Sequence, residues 1–346
     1  MVEQYFAAAN TYNGFKSYFM EIFNPLEFDR IYVIKGGPGT GKSNMMKKIS
    51  SYFSKKGCGI EEIYCSSDPS SLDGVICKTE RRKIAVIDGT APHETDAKIP
   101  GAIDEIINLG ENWDTRWLIS KKEDIIPLNT EKSRAYKTAY SYLKIAGTAS
   151  DFIMNVAKDS FDYKKSKALT KQLCQELSPQ TKENSKIRLV SSFGKNGSYS
   201  LETLKQLSKN IFYISGEAFP AMLLLLEISG FLYTMDISCT RFPTALNPDY
   251  LDAIYIPSSD ILFMIGDGDG LNADSLIKES CGYDSERIKS AKGLWDISLT
   301  EAKRWFSIAS DLHFRLEDIY TQAMSFDKND ALLAKKLDEM QNMLEV

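Results

Sequence analysis

Residues Ile31 to Ser43 read Ile-Tyr-Val-Ile-Lys-Gly-Gly-Pro-Gly-Thr-Gly-Lys-Ser, and no other stretch narrows the choice of fold as far. The apolar run Ile31–Ile34 predicts a buried strand, and Met45, Met46, Ile49 and Phe53 recur at the helical period after the glycines. The turn between them matches G-x-x-x-x-G-K-[ST] at Gly36, Gly41, Lys42 and Ser43. Glycines let backbone N–H groups curl around phosphate oxygens, and the N-terminus of the following helix adds positive potential. Gly36, Gly37, Pro38, Gly39, Thr40, Gly41, Lys42, Ser43 and Asn44 are therefore expected to cradle a nucleoside triphosphate, with ATP and Mg²⁺ as ligands. In that reading Lys42 reaches the β- and γ-phosphates and Ser43 gives its hydroxyl to Mg²⁺.

The remaining pattern places this loop in an α/β architecture. Ile60 to Cys65 and Lys83 to Asp88 read as further strands, and alternation with helices predicts a parallel, doubly wound sheet. Ile84-Ala85-Val86-Ile87 ends in Asp88, the place of an acid that holds Mg²⁺ directly or through water. From Gly101 to about Leu177 the pattern is helical and charged, with Tyr136, Ala139, Tyr140, Leu143 and Ala146 on one stripe. After Ser178-Pro179-Gln180-Thr181, strand-like runs return at Ile187–Val190 and Ile211–Ile214.

The second part repeats the order of the first. A shift of 180 residues places Ile31 on Ile211, Ile34 on Ile214 and Gly36 on Gly216, but puts Ala218 to Leu223 where Pro38 to Ser43 stood. Leu251-Asp252-Ala253 echoes Leu72-Asp73-Gly74, and Ile261–Ile265 echoes Ile84–Asp88 without the terminal acid. The expected architecture is a duplicated P-loop NTPase fold with parallel sheets, flanking helices and helical insertions, divided into 1–183 with the intact loop and 184–346 with a degenerate one. Helices about Leu299–Met324 and Asp330–Leu344 close the chain, the first carrying Ala302, Trp305, Phe306, Ala309, Leu312 and Leu316 on one stripe that should pair with the middle helical segment.

Composition removes several function classes. A net charge of -5 argues against a constitutive nucleic-acid binder, and the lysines at 164, 165, 167 and 171 read as a solvated helix face. Six scattered cysteines without a C-x-x-C pair fit reduced thiols in the cytoplasm rather than zinc or disulfides. The N-terminus does not read as a signal peptide, and Phe219 to Met235, broken by Glu227, falls short of a membrane span.

Several strings in order, Cys65-Ser66-Ser67-Asp68-Pro69-Ser70-Ser71-Leu72-Asp73-Gly74-Val75, Asp88-Gly89-Thr90-Ala91-Pro92-His93, Pro100 to Gly110, and His313-Phe314-Arg315-Leu316-Glu317-Asp318-Ile319-Tyr320, resemble a family of bacterial tandem P-loop proteins. That family is described as ATPase-like or nucleotide-kinase-like. The resemblance spans nearly the whole chain and implies a P-loop in each half, a pattern from which Ala218 to Leu223 depart.

Ligands of open α/β sheets sit beyond the carboxyl ends of the strands, so the loops Ser66–Asp73 and Gly89–Asp96 should meet the phosphate loop. Gly89 stands where a glutamate often positions water in P-loop ATPases, leaving Asp68, His93 and Glu94 as candidates. Lys42, Asp68, Asp88 and His93 form the expected catalytic set, with Ser43 and Asp88 on the metal. Asp68 can equally cap an Asp-Pro turn, and for His93 a structural hydrogen bond is the favoured reading over catalysis. His313 reads as a core histidine, Asp267–Gly270 as a turn, and Asp327–Asp330 lacks the strand that a guanine-reading motif requires. Three functions remain: an Mg²⁺-dependent ATPase, a nucleotide or small-molecule kinase, and a nucleotide-sensing interaction protein. Arg116 and Arg134 are few for a kinase lid. Arg81, Arg82, Arg116 and Arg241 are equivalent candidates for an arginine finger, and a protein partner or homo-oligomer could supply one.

Overall fold

The computed structural model describes residues 2–91, 95–175, 177, 185–278 and 286–345. The first half runs β1 (Val2–Phe6), β2 (Ala8–Thr11), β3 (Gly14–Ser17), α1 (Phe19–Ile22), β4 (Arg30–Lys35), α2 (Lys42–Lys55), β5 (Gly59–Tyr64), β6 (Leu72–Lys78), β7 (Lys83–Asp88), β8 (Asp104–Asn108), α3 (Thr115–Ser120), α4 (Lys122–Ser160) and α5 (Tyr163–Leu173). The second runs β9 (Lys186–Ile187), β10 (Ser191–Gly194), β11 (Gly197–Ser200), α6 (Thr203–Leu207), β12 (Asn210–Ser215), α7 (Ala218–Thr234), β13 (Thr240–Pro243), β14 (Leu251–Ile256), β15 (Ile261–Ile265), β16 (Gly270–Asn272), α8 (Glu286–Gln322) and α9 (Phe326–Glu345).

Two similar sheet–helix halves result. The first sheet is ordered β1-β5-β6-β7-β4-β8, and the second, read from its other edge, β9-β13-β14-β15-β12-β16. Each strand thus meets its counterpart's neighbours, and the pairing directions repeat as well. β4 lies parallel between β7 and β8, as β12 lies parallel between β15 and β16.

The expectation of purely parallel sheets is corrected. β6 runs antiparallel to both β5 and β7, and β14 repeats this in the second half. The connection Cys65–Ser71 is a tight turn, closed by Ser71 N–H on Asp68 O and Cys65 N–H on Ser71 O, whereas a parallel crossover needs roughly a dozen residues or more. A second correction concerns the stretch from Gly101: Asp104–Asn108 forms the edge strand β8, and helix begins only at Thr115. Edge exposure on one face gave Asp104–Asn108 too little apolar pattern to be recognised.

The sheets face each other. Ile31, Val33, Ile63, Ala85 and Ile87 of the first pack with Leu189, Phe242, Ala253 and Leu262 of the second in one core. α4 and α8 pair lengthwise as expected, with Phe306 seated among Tyr136, Tyr140 and Phe193 at ring distances of 5.9, 5.6 and 6.2 Å. The terminal helices are exchanged. Leu333, Met340 and Leu344 of α9 are buried on the first sheet with Tyr32, Ile34 and Val86, while Leu169, Leu173 and Cys174 of and after α5 join the core of α7 and the second sheet. Matching bridges mark both crossings, Trp113 to Met324 and Phe161 to Ile277. A packing unit therefore draws on both ends of the sequence.

The repeated Leu-Asp position diverges chemically. Asp252 accepts a hydrogen bond from Ser191 Oγ at 2.5 Å, and desolvation pushes its carboxyl up to about 6. The folded state then holds this proton more tightly than the unfolded chain. The group's contribution to stability is greatest below the ordinary 3.8 and is lost as pH rises through about 6, a difference of about 3 kcal/mol at most. Asp252→Asn is expected to raise the urea midpoint at pH 7 and to have little effect near pH 4. An equal change at both pH values would contradict this origin.

Candidate functional site

The glycine-rich loop follows from β4 and α2 together. β4 ends at Lys35, α2 starts at Lys42, and the residues between turn back through Gly39 and Gly41 at φ 69° and 82°. Those left-handed values favour glycine. Lys42 Nζ donates to the carbonyls of Gly36 and Gly37 at 3.0 and 2.9 Å, folding over the loop it belongs to. Thr40 Oγ1 donates to Gly37 O at 2.9 Å. Asn44 is exposed on the first turn of α2.

Asp88 arrives from the adjacent parallel strand, paired with Ile34, and sits 3.6 Å from Lys42 Nζ. Burial pushes its carboxyl up, opposed by Lys42 and by Thr90, whose N–H and hydroxyl donate at 2.8 and 2.6 Å. Ser43 Oγ accepts from Leu72 N–H at 2.9 Å, which ties α2 to the start of β6. A hydroxyl and a carboxylate at the strand ends are hard oxygen donors of the kind Mg²⁺ takes one or two at a time, with water and phosphate completing its shell. Among the described residues no group of three or more His, Cys, Asp or Glu could hold a metal by itself. A shared site with few protein ligands is thus the arrangement the residues fit.

Of the expected catalytic set, Lys42 and Asp88 come together. Asp68 turns elsewhere. Burial by itself would raise its carboxyl, but Lys195 at 2.6 Å and Ser70, which donates from both N–H and hydroxyl, outweigh this and hold it below the ordinary range. Its geometry is the Asp-Pro turn, locked by a lysine from the β10–β11 turn. His93 and Glu94 lie outside the described residues. Arg82 pairs with Asp29 at the opposite end of β7, and Arg134 pairs with Glu131 on the exposed side of α4.

The structure adds a wall that spacing did not reveal. The α8–α9 corner lies on the loop: a Cβ placed on Gly37 would meet Trp113 at 3.2 Å and Tyr320 at 3.7 Å, and one on Gly39 would meet the Glu317 carbonyl oxygen at 2.7 Å. Asn329 Nδ2 donates to Thr40 O at 2.9 Å while its oxygen accepts from Asn112. Asn329 belongs to the Asp327–Asp330 string, which serves the loop through its amide and not by reading a base. His313, expected in the core, is half-exposed with Nε2 3.6 Å from Glu317 Oε1. The strings His313–Tyr320 and Asp327–Asp330 stand out in the sequence, but their distance from the loop along the chain hides their place.

Gly39→Ala is expected to combine left-handed backbone strain of about 1–2 kcal/mol with a clash against α8. It should lower the melting temperature, and an unchanged melting temperature would show that the corner yields freely.

The second half has no counterpart loop. Shifted by 180 residues, Lys42 falls on Met222, inside a helix that already begins at Ala218. Phe219, Pro220, Ala221 and Leu223 are buried there, and the Glu217 N–H is taken by Asp274 Oδ1 at 2.9 Å. No disulfide joins the described cysteines, and among the described residues no helix is long and apolar enough to cross a membrane. No protein-family model, curated protein or solved structure matches this chain.

Proposed function

We propose that the first half binds Mg²⁺·ATP on Gly36–Ser43 and hydrolyses it, while the second half is a degenerate copy that packs on the loop and regulates it. The observation that carries this reading is the convergence of Lys42, Ser43 and Asp88 at the carboxyl ends of two adjacent parallel strands, behind a glycine turn that opens a helix. The same arrangement supports assigning the first half to the P-loop NTPase fold, and the repeated strand order supports extending it to the second.

In this reading the loop N–H groups and Lys42 bind the triphosphate and orient its terminal phosphorus. Ser43 and Asp88 hold Mg²⁺, which when bound neutralises charge on the phosphate oxygens. Tyr320, Trp113 and Asn329 enclose the loop and restrict water at its mouth. The kinase alternative draws no support from Arg134, which is exposed and paired with Glu131 on its own helix. Calorimetric titration with Mg²⁺·ATP and steady-state phosphate release test the proposal, and absence of binding would end it.

A further inference from the structure

ATP hydrolysis at this loop needs a group to orient the attacking water, often a carboxylate, and the usual place for one is closed. A Cβ at Gly89 would lie 2.4 Å from Val33 Cγ1 and 3.0 Å from the Thr95 carbonyl oxygen, so no side chain fits directly after Asp88. Asp68 is engaged by Lys195, and Asp88 by Lys42 and Thr90. Asp73 is buried beside Cys65, whose thiol donates to it.

One other acid among the described residues stands at the loop. Glu317 occupies the turn of α8 that crosses Gly39, its backbone oxygen 2.7 Å from the Gly39 Cβ position. Tyr320 and Thr321, on the next turn, touch Gly37 and Gly39. Its side chain is 36% exposed, open enough for water to reach. His313, one turn earlier, holds the carboxyl below its ordinary range, and the Gly39 N–H and Lys42 act in the same direction against desolvation. Of these last two groups, Lys42 is the one that the motif assigns to the β- and γ-phosphates, while the loop N–H groups cradle the α- and β-phosphates. Lys132 of α4 also faces Glu317. The carboxylate therefore stands beside Gly39 and Lys42, at the edge of the phosphate seat that the motif implies.

We propose that Glu317 positions the attacking water for ATP hydrolysis on the first-half loop, delivered by the long helix of the second half and steadied by His313. The inference rests on the ATP-hydrolysing reading above. In the step, the water oxygen bonds to the γ-phosphorus and the bond from that phosphorus to the β,γ-bridging oxygen breaks. ADP leaves with the electron pair, and the water proton passes to the Glu317 carboxylate. His313 is a positioning residue. The duplication thus gains a purpose, since the degenerate half supplies the group that the intact half cannot accommodate at Gly89.

The test compares Mg²⁺·ATP affinity by calorimetry with phosphate-release kcat for the full-length chain. Glu317→Gln is expected to lower kcat by about 100-fold or more, the scale of a lost proton acceptor, with Kd within about threefold of wild type. His313→Gln should lower kcat with little change in KM. If Glu317→Gln fails to fold, Glu317→Asp retracts the same charge by one methylene and should bind ATP normally with kcat reduced about tenfold or more. Unchanged kcat in the folded variant overturns the assignment. So does tighter ATP binding with kcat maintained, which would make Glu317 a competitor for the phosphate donors. A wild-type chain that binds no ATP removes the parent reading, whereas one that binds and turns over ATP independently of Glu317 removes only this one.

Discussion

Lys42→Ala is expected to weaken Mg²⁺·ATP binding by about two orders of magnitude or more and to abolish turnover. The ammonium is already oriented by the Gly36 and Gly37 carbonyls at 3.0 and 2.9 Å, so little ordering entropy opposes its contact with phosphate. A charge-assisted hydrogen bond is worth about 1.5–3 kcal/mol, and losing contacts to two phosphates exceeds the roughly 2.7 kcal/mol that a hundredfold change in Kd represents. Lys42→Arg should not rescue, because a planar guanidinium cannot follow the same path over the loop. Met222→Lys, at the shifted position, should add no second site, since α7 is already helical there and Asp274 holds the Glu217 N–H. Calorimetry would read one ATP per chain in wild type and in Met222→Lys. Unaltered affinity in Lys42→Ala would refute phosphate binding at this loop.

Glu61→Gln should give the largest loss of stability, about 3–5 kcal/mol. Glu61 is 6% exposed and lies where the halves meet, its carboxylate accepting from Arg188 at 3.3 and 3.2 Å and from Lys78 at 3.2 Å. Lys78 is half-exposed and can be hydrated, but Arg188 is 13% exposed and would keep a buried charge without its counter-ion. Joint replacement by apolar residues, Glu61→Leu with Arg188→Met, should recover most of the loss, because neither charge is then stranded. Urea denaturation of the two singles and the double closes the cycle. A double variant as unstable as the sum of the singles would mean that shape, and not charge, is at stake.

The same pair fixes an acid limit. Burial alone would raise Glu61, but Arg188 and Lys78 outweigh it and hold the carboxyl below its ordinary 4.5. A lowered folded value contributes stability that is full above 4.5 and is lost as pH falls below it. Asp252 acts in the opposite direction on the same fold, so Glu61→Gln should flatten the acid side of the stability profile and Asp252→Asn the stretch toward pH 6.

Strands and helices with strong period were legible: β4, β5, β7, β12 and the stripes of α4 and α8 stand where the apolar pattern put them. β6 escapes the pattern because the turn before it reads as a site loop, β14 because only its Leu-Asp echo stands out, and β8 because an edge strand has one wet face. The repeat was visible as three identities and an order of elements. Its full extent, with the same six-strand order and pairing directions, emerged only from hydrogen bonding.

What the sequence determined by itself is local. Gly36–Ser43 specifies a turn, its glycines and its lysine because those properties belong to neighbouring residues, and Ala218–Leu223 specifies a helix for the same reason. What the tertiary structure decided is which side chains surround that turn. The packing of α9 on the first sheet brings Asn329 onto the loop, and with it the end of α8 that carries Glu317 and Tyr320. Their separation along the chain leaves no periodic trace, since helical spacing records only which face of α8 is apolar and not which loop that helix will cross.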